Sequence, residues 1–325
     1  MMQRRRIAAA TATWLIVSLV SGCAAYRADA SEPAVTLEQH LEHRGHWLRG
    51  EGVEVFVAVE PAFRLLSLRR PGQPTLTAQP PLPEVGLRLA YMEPEQNEDS
   101  FDPGTQPAQV RQSSEQSIDL ELQASGKTQT QYAVRVDVDP DRPALRLQFR
   151  LKNLASSPRR YAAWSVIALP SVGQVVVPYA QRDFGRRRMV LPPWSIQPQA
   201  NLHTGRSALA MDLDHDMSGR AFKLGLGSEA GWIGYRLGTA ALLAHVPCDP
   251  AGEYPEGDAN LTIFQMNADE KDWAEIEHLS PLTDIGPGDE LVMRQSVWLL
   301  DLPDQSPMSP DALRQAMLDA WPESP

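Results

Sequence analysis

The chain contains very little cysteine. Its 325 residues include only Cys23 and Cys248, so at most one disulfide can form within it. This excludes the small secreted domains that depend on several disulfides, and it requires a buried core to stabilise the fold. A chain of this length can bury such a core in one large domain or in two packed sheets of one domain.

Positive charge and familiar catalytic motifs are also scarce. The chain has 30 Lys and Arg against 41 Asp and Glu, a formal net charge of −11. An acidic balance of this size argues against a nucleic-acid partner, and we predict none. The chain has no G-x-S-x-G elbow, no H-E-x-x-H pair and no P-loop. We therefore predict no cofactor.

Only one long apolar run is present, at residues 7–20. It follows Arg4, Arg5 and Arg6 and is too short for an ordinary transmembrane helix. Small residues and a cysteine come directly after it, in Val20-Ser21-Gly22-Cys23, and this segment resembles a lipobox. The sequence predicts a lipoprotein signal peptide over 1–22 and lipidation of Cys23. The alternative is an ordinary signal peptide followed by an incidental cysteine.

The residue after the cysteine bears on location. Ala24 is the residue that follows Cys23. The segment resembles the Gram-negative sorting pattern, in which a residue other than Asp at this position directs the protein to the outer membrane. We predict a protein held to that membrane by acyl chains and facing the periplasm, with no polypeptide span. Removal of residues 1–22 takes away three arginines and no acid, which gives the processed chain a net charge of −14.

The segment 23–49 is predicted to hold the lipidated cysteine, a tether and a short helix. Residues 24–33 are small and polar, as in flexible linkers, and residues 36–41 have the spacing of a capping box. Histidines at intervals of three would share one face of a continuous helix: His40, His43 and His46. They are either metal ligands or part of a solvated amphipathic turn, and Gly45 weakens the helical alternative.

After residue 50 the sequence alternates apolar and polar residues with a period of two. The alternation is clear in residues 53–59, 132–138 and 145–151, and it is typical of antiparallel strands with one face in a core. Further strands are predicted at 118–122, 161–169, 174–177, 231–237, 241–246, 261–266, 275–279 and 291–300. The predicted fold class is all-β, an antiparallel sandwich over 50–302.

Three stretches depart from this pattern. Residues 92–116 are rich in acid and proline and are predicted to form a long surface loop. Residues 303–325 form a C-terminal tail, in which Ser309 and Pro310 begin a short amphipathic helix over 310–320. A cluster of acids is either a divalent-cation site or a solvated loop: Asp212, Asp214 and Asp216.

The second half of the chain is rich in aromatic and acidic residues. A pyranose has apolar C–H faces that stack on rings and hydroxyls that need polar partners, so this mixture suits sugars. Candidate ligand-binding residues of this kind are Trp164, Trp232, Tyr254 and Asn260. The alternative for each tryptophan is a place in the core. Glu275 and Glu277 lie two apart on a predicted strand and so share a face, either in solvent or in a cleft.

Several short segments together resemble a bacterial domain family of unassigned function within the galactose mutarotase-like, or aldose 1-epimerase-like, superfamily. Each segment is weak alone, but their order over residues 50–302 is moderately specific. They are RYAAWSV at 160–166, VP at 177–178, KLG at 223–225, GWIGY at 231–235, YPEGDAN at 254–260, EIEHLSPL at 275–282, PGD at 287–289 and VWLL at 297–300. The resemblance implies a large twisted β-supersandwich.

The resemblance also implies a site. In mutarotases a glutamate takes the proton of the anomeric hydroxyl while a histidine protonates the ring oxygen, and Glu275 or Glu277 matches the base by motif position. The mutarotase segment with histidine shortly before Tyr-Phe-Asn is not found here, so only His245 and His278 are left as guesses for the acid.

The first hairpin departs from this family's pattern. Relatives tend to have paired glycines there, whereas this chain has EPAFRL at residues 60–65. That difference puts an arginine-lined sugar site in doubt. Arg64 and Lys223 nevertheless complete the predicted ligand-binding set.

Three functional hypotheses follow. The first is an envelope lipoprotein whose mutarotase-like domain binds carbohydrate, with membrane contact only through its lipid anchor. The second is a sugar-active enzyme of the epimerase type, with Glu275 or Glu277 as the base. The third is a structural envelope lipoprotein without a ligand. A cleft around the two glutamates would separate the first two hypotheses from the third.

Overall fold

The structure is a computed structural model that describes residues 37–78, 86–93, 96–178, 201–213, 221–268, 271–305 and 307–323. The predicted signal peptide, Cys23 and the acids Asp214 and Asp216 lie outside these residues. No helix in the described part of the chain is long and apolar enough to cross a membrane.

Strands make up most of the described chain. In chain order they are β1 Glu38–His40, β2 His43–Arg49, β3 Glu54–Glu60, β4 Arg64–Arg69, β5 Leu87–Met92, β6 Ala108–Ser113, β7 Ser117–Leu122, β8 Thr130–Val138, β9 Ala144–Asn153, β10 Arg159–Pro170, β11 Gln174–Pro178, β12 Leu202–Thr204, β13 Ala208–Asp212, β14 Ala221–Leu226, β15 Trp232–Leu237, β16 Ala240–His245, β17 Leu261–Ala268, β18 Lys271–Leu279, β19 Thr283–Ile285 and β20 Glu290–Asp301.

These strands form two antiparallel sheets. The first has the order β1-β2-β3-β4-β5-β10-β18-β17-β14, with β19 paired to β10, and the second has the order β12-β13-β11-β15-β16-β20-β9-β8-β7-β6. One large apolar cluster takes side chains from both, among them Val57 and Ile276 from the first sheet and Val134 and Leu147 from the second. The core therefore lies between the sheets, and the predicted all-β sandwich is confirmed.

The C-terminal helix covers the outer face of the second sheet. It spans Pro310–Ala320, and the Ser309 hydroxyl accepts a hydrogen bond from the Ala312 amide at 3.3 Å. Its apolar stripe packs on the sheet in a second cluster: Leu313, Met317 and Trp321 with Trp232 and Trp298. The predicted short C-terminal helix is therefore confirmed.

The predicted helix over residues 36–41 is wrong where the structure describes it. Glu38–His40 is strand β1, and the positive φ angles of Leu41 and Glu42 turn the chain into β2. The three-residue spacing of the histidines therefore reflects a hairpin. His40 bonds to Ser67, and the described residues contain no group of His, Cys, Asp or Glu arranged to hold a metal ion.

The acidic stretch 92–116 is not all loop. A 3₁₀ turn spans Asp102–Thr105, and β6 then forms one edge of the second sheet. An edge strand with much of its side-chain surface in solvent needs no apolar alternation, which explains why the sequence pattern did not reveal β6.

Candidate functional site

Two glutamates of β18 lie on the outer face of the first sheet. Ala274 and Ile276 point into the core between the sheets, so the alternating Glu275 and Glu277 point away from it. Both are almost fully buried, with 4% and 1% of their surface exposed. A buried carboxylate is costly unless it is paired, so their partners define what the site is.

Glu277 is held by a tryptophan and a lysine. The Trp164 indole N–H donates to Glu277 Oε2 at 3.1 Å, and the Lys223 Nζ lies 3.6 Å from the same oxygen. Lys223 also lies 5.0 Å from the centroid of the Trp164 ring, within the range of a cation–π contact. Three strands, β10, β14 and β18, thus bring one cation, one carboxylate and one aromatic face together.

Glu275 has a separate set of partners. Its Oε1 accepts hydrogen bonds from Arg88 Nη2 at 2.8 Å and from the Trp273 indole at 2.9 Å. The Arg88 guanidinium lies 4.3 Å from the centroid of the Phe101 ring, and Phe101 in turn packs against Trp164 at 4.8 Å. The two glutamates are therefore joined through a continuous layer of cations and rings.

A third carboxylate reaches the same lysine from a turn outside the sheet. Glu256 Oε2 lies 3.2 Å from Lys223 Nζ. Glu256 and Asp258 both have positive φ, at 50° and 77°, a conformation that L-residues rarely adopt. The Asp258 carboxylate accepts a hydrogen bond from the Tyr254 amide, whereas the partner of Glu256 among the described residues is Lys223.

A buried hydroxyl lies next to this group. Thr262 stands directly opposite Glu277 on the neighbouring strand β17, so both side chains share the outer face. Its Oγ1 is buried and has no hydrogen-bond partner among the described residues. An unpaired buried hydroxyl costs about 1–3 kcal/mol, and a bound polar ligand atom would remove that cost. We call the following set the outer-face cluster: Arg88, Phe101, Trp164, Lys223, Glu256, Thr262, Glu275 and Glu277.

The electrostatics of the cluster set two protonation states. The pKa of Glu277 is raised to about 7, mainly by burial; Glu275 and Glu256 add to the rise, whereas Lys223 and Arg88 act in the opposite direction. Burial alone would lower the pKa of Lys223, but the surrounding carboxylates raise it above its ordinary value. Lys223 is therefore charged at neutral pH while Glu277 is close to half-protonated, which suits it to accept or donate a proton.

Other predicted site residues support segments next to the cluster. Arg64 donates to the carbonyls of Phe63 and Gly104, and so holds the turn that follows Phe101. Asn260 bonds both backbone groups of Ser228, at 2.7 and 2.8 Å. The Tyr254 hydroxyl accepts a hydrogen bond from the Asp249 amide at 2.9 Å. These side chains fix local backbone.

Trp232 and the two candidate histidines do not join the cluster. Trp232 lies in the second sheet and is buried under the C-terminal helix. It was predicted to bind sugar, but the structure places it in an apolar core instead. His278 points to the inner face, bonds to Gln295, and has a pKa lowered to about 3 by burial. His245 packs on Trp321. Among the described residues no histidine bonds to either glutamate.

Four members of the cluster were not among the predicted site residues: Arg88, Phe101, Glu256 and Thr262. Arg88 is the single charged residue in the apolar run 87–92, and that isolation is a signal that could have identified it. Phe101 lies in the acidic stretch that was predicted to be a loop, where nothing in the sequence marks it as a partner of Arg88.

The fold is that of galactose mutarotase-like proteins. No family model matches the chain, and no curated protein matches its sequence. Among solved structures, a candidate aldose 1-epimerase from Escherichia coli K12 is similar with a TM-score of 0.56 and 13% identity, over 79% of this chain and 99% of that one. A galactose mutarotase-like protein from Lactobacillus casei gives 0.55 and 11%, over 78% and 99%. The resemblance drawn from the sequence is thereby confirmed at the level of the fold.

The raised pKa of Glu277 has a consequence for stability. Between pH 4.5 and about 7 the folded chain holds a proton that the unfolded chain releases, so this group lowers the free energy of unfolding as pH rises through that range. We expect the Glu277→Gln variant to lose this component. Urea unfolding of both proteins across the range measures it.

The matched control is Glu290→Gln, which changes an exposed glutamate of the second sheet. It should follow the parent protein at every pH. Equal pH dependence in the parent and in the Glu277→Gln variant would contradict the raised pKa.

Proposed function

We propose that this protein binds carbohydrate at the outer-face cluster. The observation that carries the proposal is the combination of buried donors and acceptors with aromatic rings on one sheet face. Lys223 and Arg88 supply donors, the glutamates supply acceptors, and Trp164 and Phe101 supply aromatic rings. Sugar hydroxyls need hydrogen-bond donors and acceptors, and the C–H faces of a sugar stack on aromatic rings.

Two further observations support this location. The Thr262 hydroxyl, which has no hydrogen-bond partner among the described residues, lies beside Glu277, where a ligand hydroxyl would satisfy it. Solved structures with this fold include a candidate aldose 1-epimerase and a galactose mutarotase-like protein, and both names refer to enzymes that act on sugars.

An epimerase is the second candidate, and the protonation state of Glu277 favours it. A carboxylate with a pKa of about 7 can take the proton of an anomeric hydroxyl near neutral pH. The reaction also needs an acid at the ring oxygen. Lys223, charged and 3.6 Å from Glu277, would have to supply this acid in place of the histidine that mutarotases use.

A glycan array tests the binding proposal. The purified full chain should bind at least one glycan, and the Glu275→Gln/Glu277→Gln double variant should bind it at least tenfold more weakly. Two charge-assisted hydrogen bonds are lost, each worth about 1.5–3 kcal/mol. The control is Glu121→Gln/Glu290→Gln, which changes the same residue types on the second sheet and should bind normally.

Polarimetry of α-D-glucose and α-D-galactose with the same proteins separates the two candidates. Accelerated anomerisation that the double variant loses would establish the enzyme. Absence of both binding and anomerisation in the parent protein would contradict a sugar site and favour a structural role.

We also propose that the protein is a lipoprotein of the cell envelope. The support lies in the sequence: a basic N-terminus, an apolar run that ends at residue 20, and small residues directly before Cys23. Acyl chains on that cysteine would hold the protein at the outer membrane on its periplasmic side, with the sugar site in the aqueous compartment.

Labelled palmitate tests the anchor. Cells that express the full chain should incorporate the label into it, and the Cys23→Ser variant should lose it because the acceptor thiol is gone. Cys248→Ser changes the other cysteine and should leave the label unchanged. Label that persists in Cys23→Ser would refute the proposed lipidation site.

A further inference from the structure

A cleft of about 420 Å³ lies at one end of the sandwich, between the sheets. One wall is the turn that follows β4, and the other is formed by the start of β16 and the end of β20. It shares no residue with the outer-face cluster. Clefts that hold small organic ligands have volumes of roughly 300–1,000 Å³, so this one is large enough for one or two pyranose rings.

The wall after β4 is a preformed turn. Pro71 and Gly72 occupy its centre, Gly72 has φ of 74°, and the Gln73 amide donates to the Arg70 carbonyl at 3.0 Å. A turn with proline followed by glycine in this conformation keeps its shape without a ligand. Pro71 and Pro74 are exposed at the mouth and present flat apolar rings to the space.

Arg70 gives the cleft a fixed donor. Its Nη2 donates to the Leu299 carbonyl at 2.9 Å and lies 3.1 Å from the Asp301 carboxylate, so the guanidinium bridges the two sheets. Its Nε–H is buried and has no acceptor among the described residues. A buried donor left unsatisfied costs about 1–3 kcal/mol, and a ligand oxygen drawn to this arginine would offset that cost.

The charges select against an anion. Asp301 balances the charge of Arg70, and Glu51 adds a second carboxylate to the lining. A negatively charged ligand would meet two carboxylates and one cation that is already paired. A neutral ligand with hydroxyls can donate to both carboxylates, accept from Arg70, and place an apolar face on the proline rings.

We propose that this cleft is a second binding site for a neutral sugar, one or two rings long. It goes beyond the proposed function, because it uses none of the residues of the outer-face cluster and binds whether or not that cluster does. An envelope protein with two such sites would hold a glycan chain at two separate points, and this would raise its apparent affinity for long chains over short ones.

The Arg70 Nε–H proton gives a direct test in the full chain. We titrate maltose, lactose and cellobiose into nitrogen-labelled protein and follow this resonance, which is assigned by its loss in Arg70→Lys. At least one disaccharide should shift this resonance saturably. At the concentration of that disaccharide that gives half of the full shift, the same concentration of sodium glucuronate should give a shift at least tenfold smaller.

Two variants locate the sugar. Thr239→Trp places a large ring at the exposed edge of the cleft and should abolish the shift, while Thr239→Ser should leave it unchanged. The Glu275→Gln/Glu277→Gln double variant should retain the shift, whatever it does to glycan binding elsewhere.

Three results would overturn the proposal. One is the absence of any shift with all three disaccharides in a protein that melts normally. Another is a shift that survives Thr239→Trp. The third is a shift that disappears only in the double glutamate variant, which would place the sugar at the outer-face cluster alone.

Discussion

Lys223 carries its charge into a part of the molecule from which water is nearly excluded. Its Nζ lies 3.2 Å from Glu256, 3.6 Å from Glu277 and 5.0 Å from the Trp164 ring. Moving an ion out of water costs several kcal/mol, and only close partners with good geometry offset that cost. The positions of these side chains therefore depend on one another, and through them the positions of β10, β14, β18 and the turn at Glu256.

The antiparallel sheet supplies this arrangement with little local irregularity. Neighbouring residues of β18 alternate between the core and the outer face, so apolar side chains hold the strand while Glu275 and Glu277 remain on the other side. Two contributions come from outside the strands: Phe101, directly before the 3₁₀ turn, and the turn that carries Glu256 in a left-handed conformation. Strained backbone of this kind concentrates at sites where position has a function.

Much of the fold was accessible from the sequence, and about half of the site. Period-two alternation identified most of the central strands, because one face of each lies in the core. Edge strands such as β1 and β6 lack that constraint, so their residues carry no such pattern. The spacing of Glu275 and Glu277 on one strand correctly predicted that they share a face. Trp232 was misassigned because alternation does not predict in which sheet, or on which side of that sheet, a tryptophan lies. Phe101 was out of reach because it lies directly before a 3₁₀ turn, where no periodic pattern predicts the direction of its ring.

A double-mutant cycle on Lys223 and Glu277 tests most directly whether the buried ions depend on each other. Lys223→Met should destabilise the protein by about 3–5 kcal/mol, because it leaves carboxylates buried without their cation. Adding Glu277→Gln to that variant removes one of those carboxylates. The double variant should therefore be more stable than the sum of the single changes predicts, by at least about 1 kcal/mol in the free energy of unfolding. Additive single effects would contradict the account, since they would mean that the two charges are not coupled.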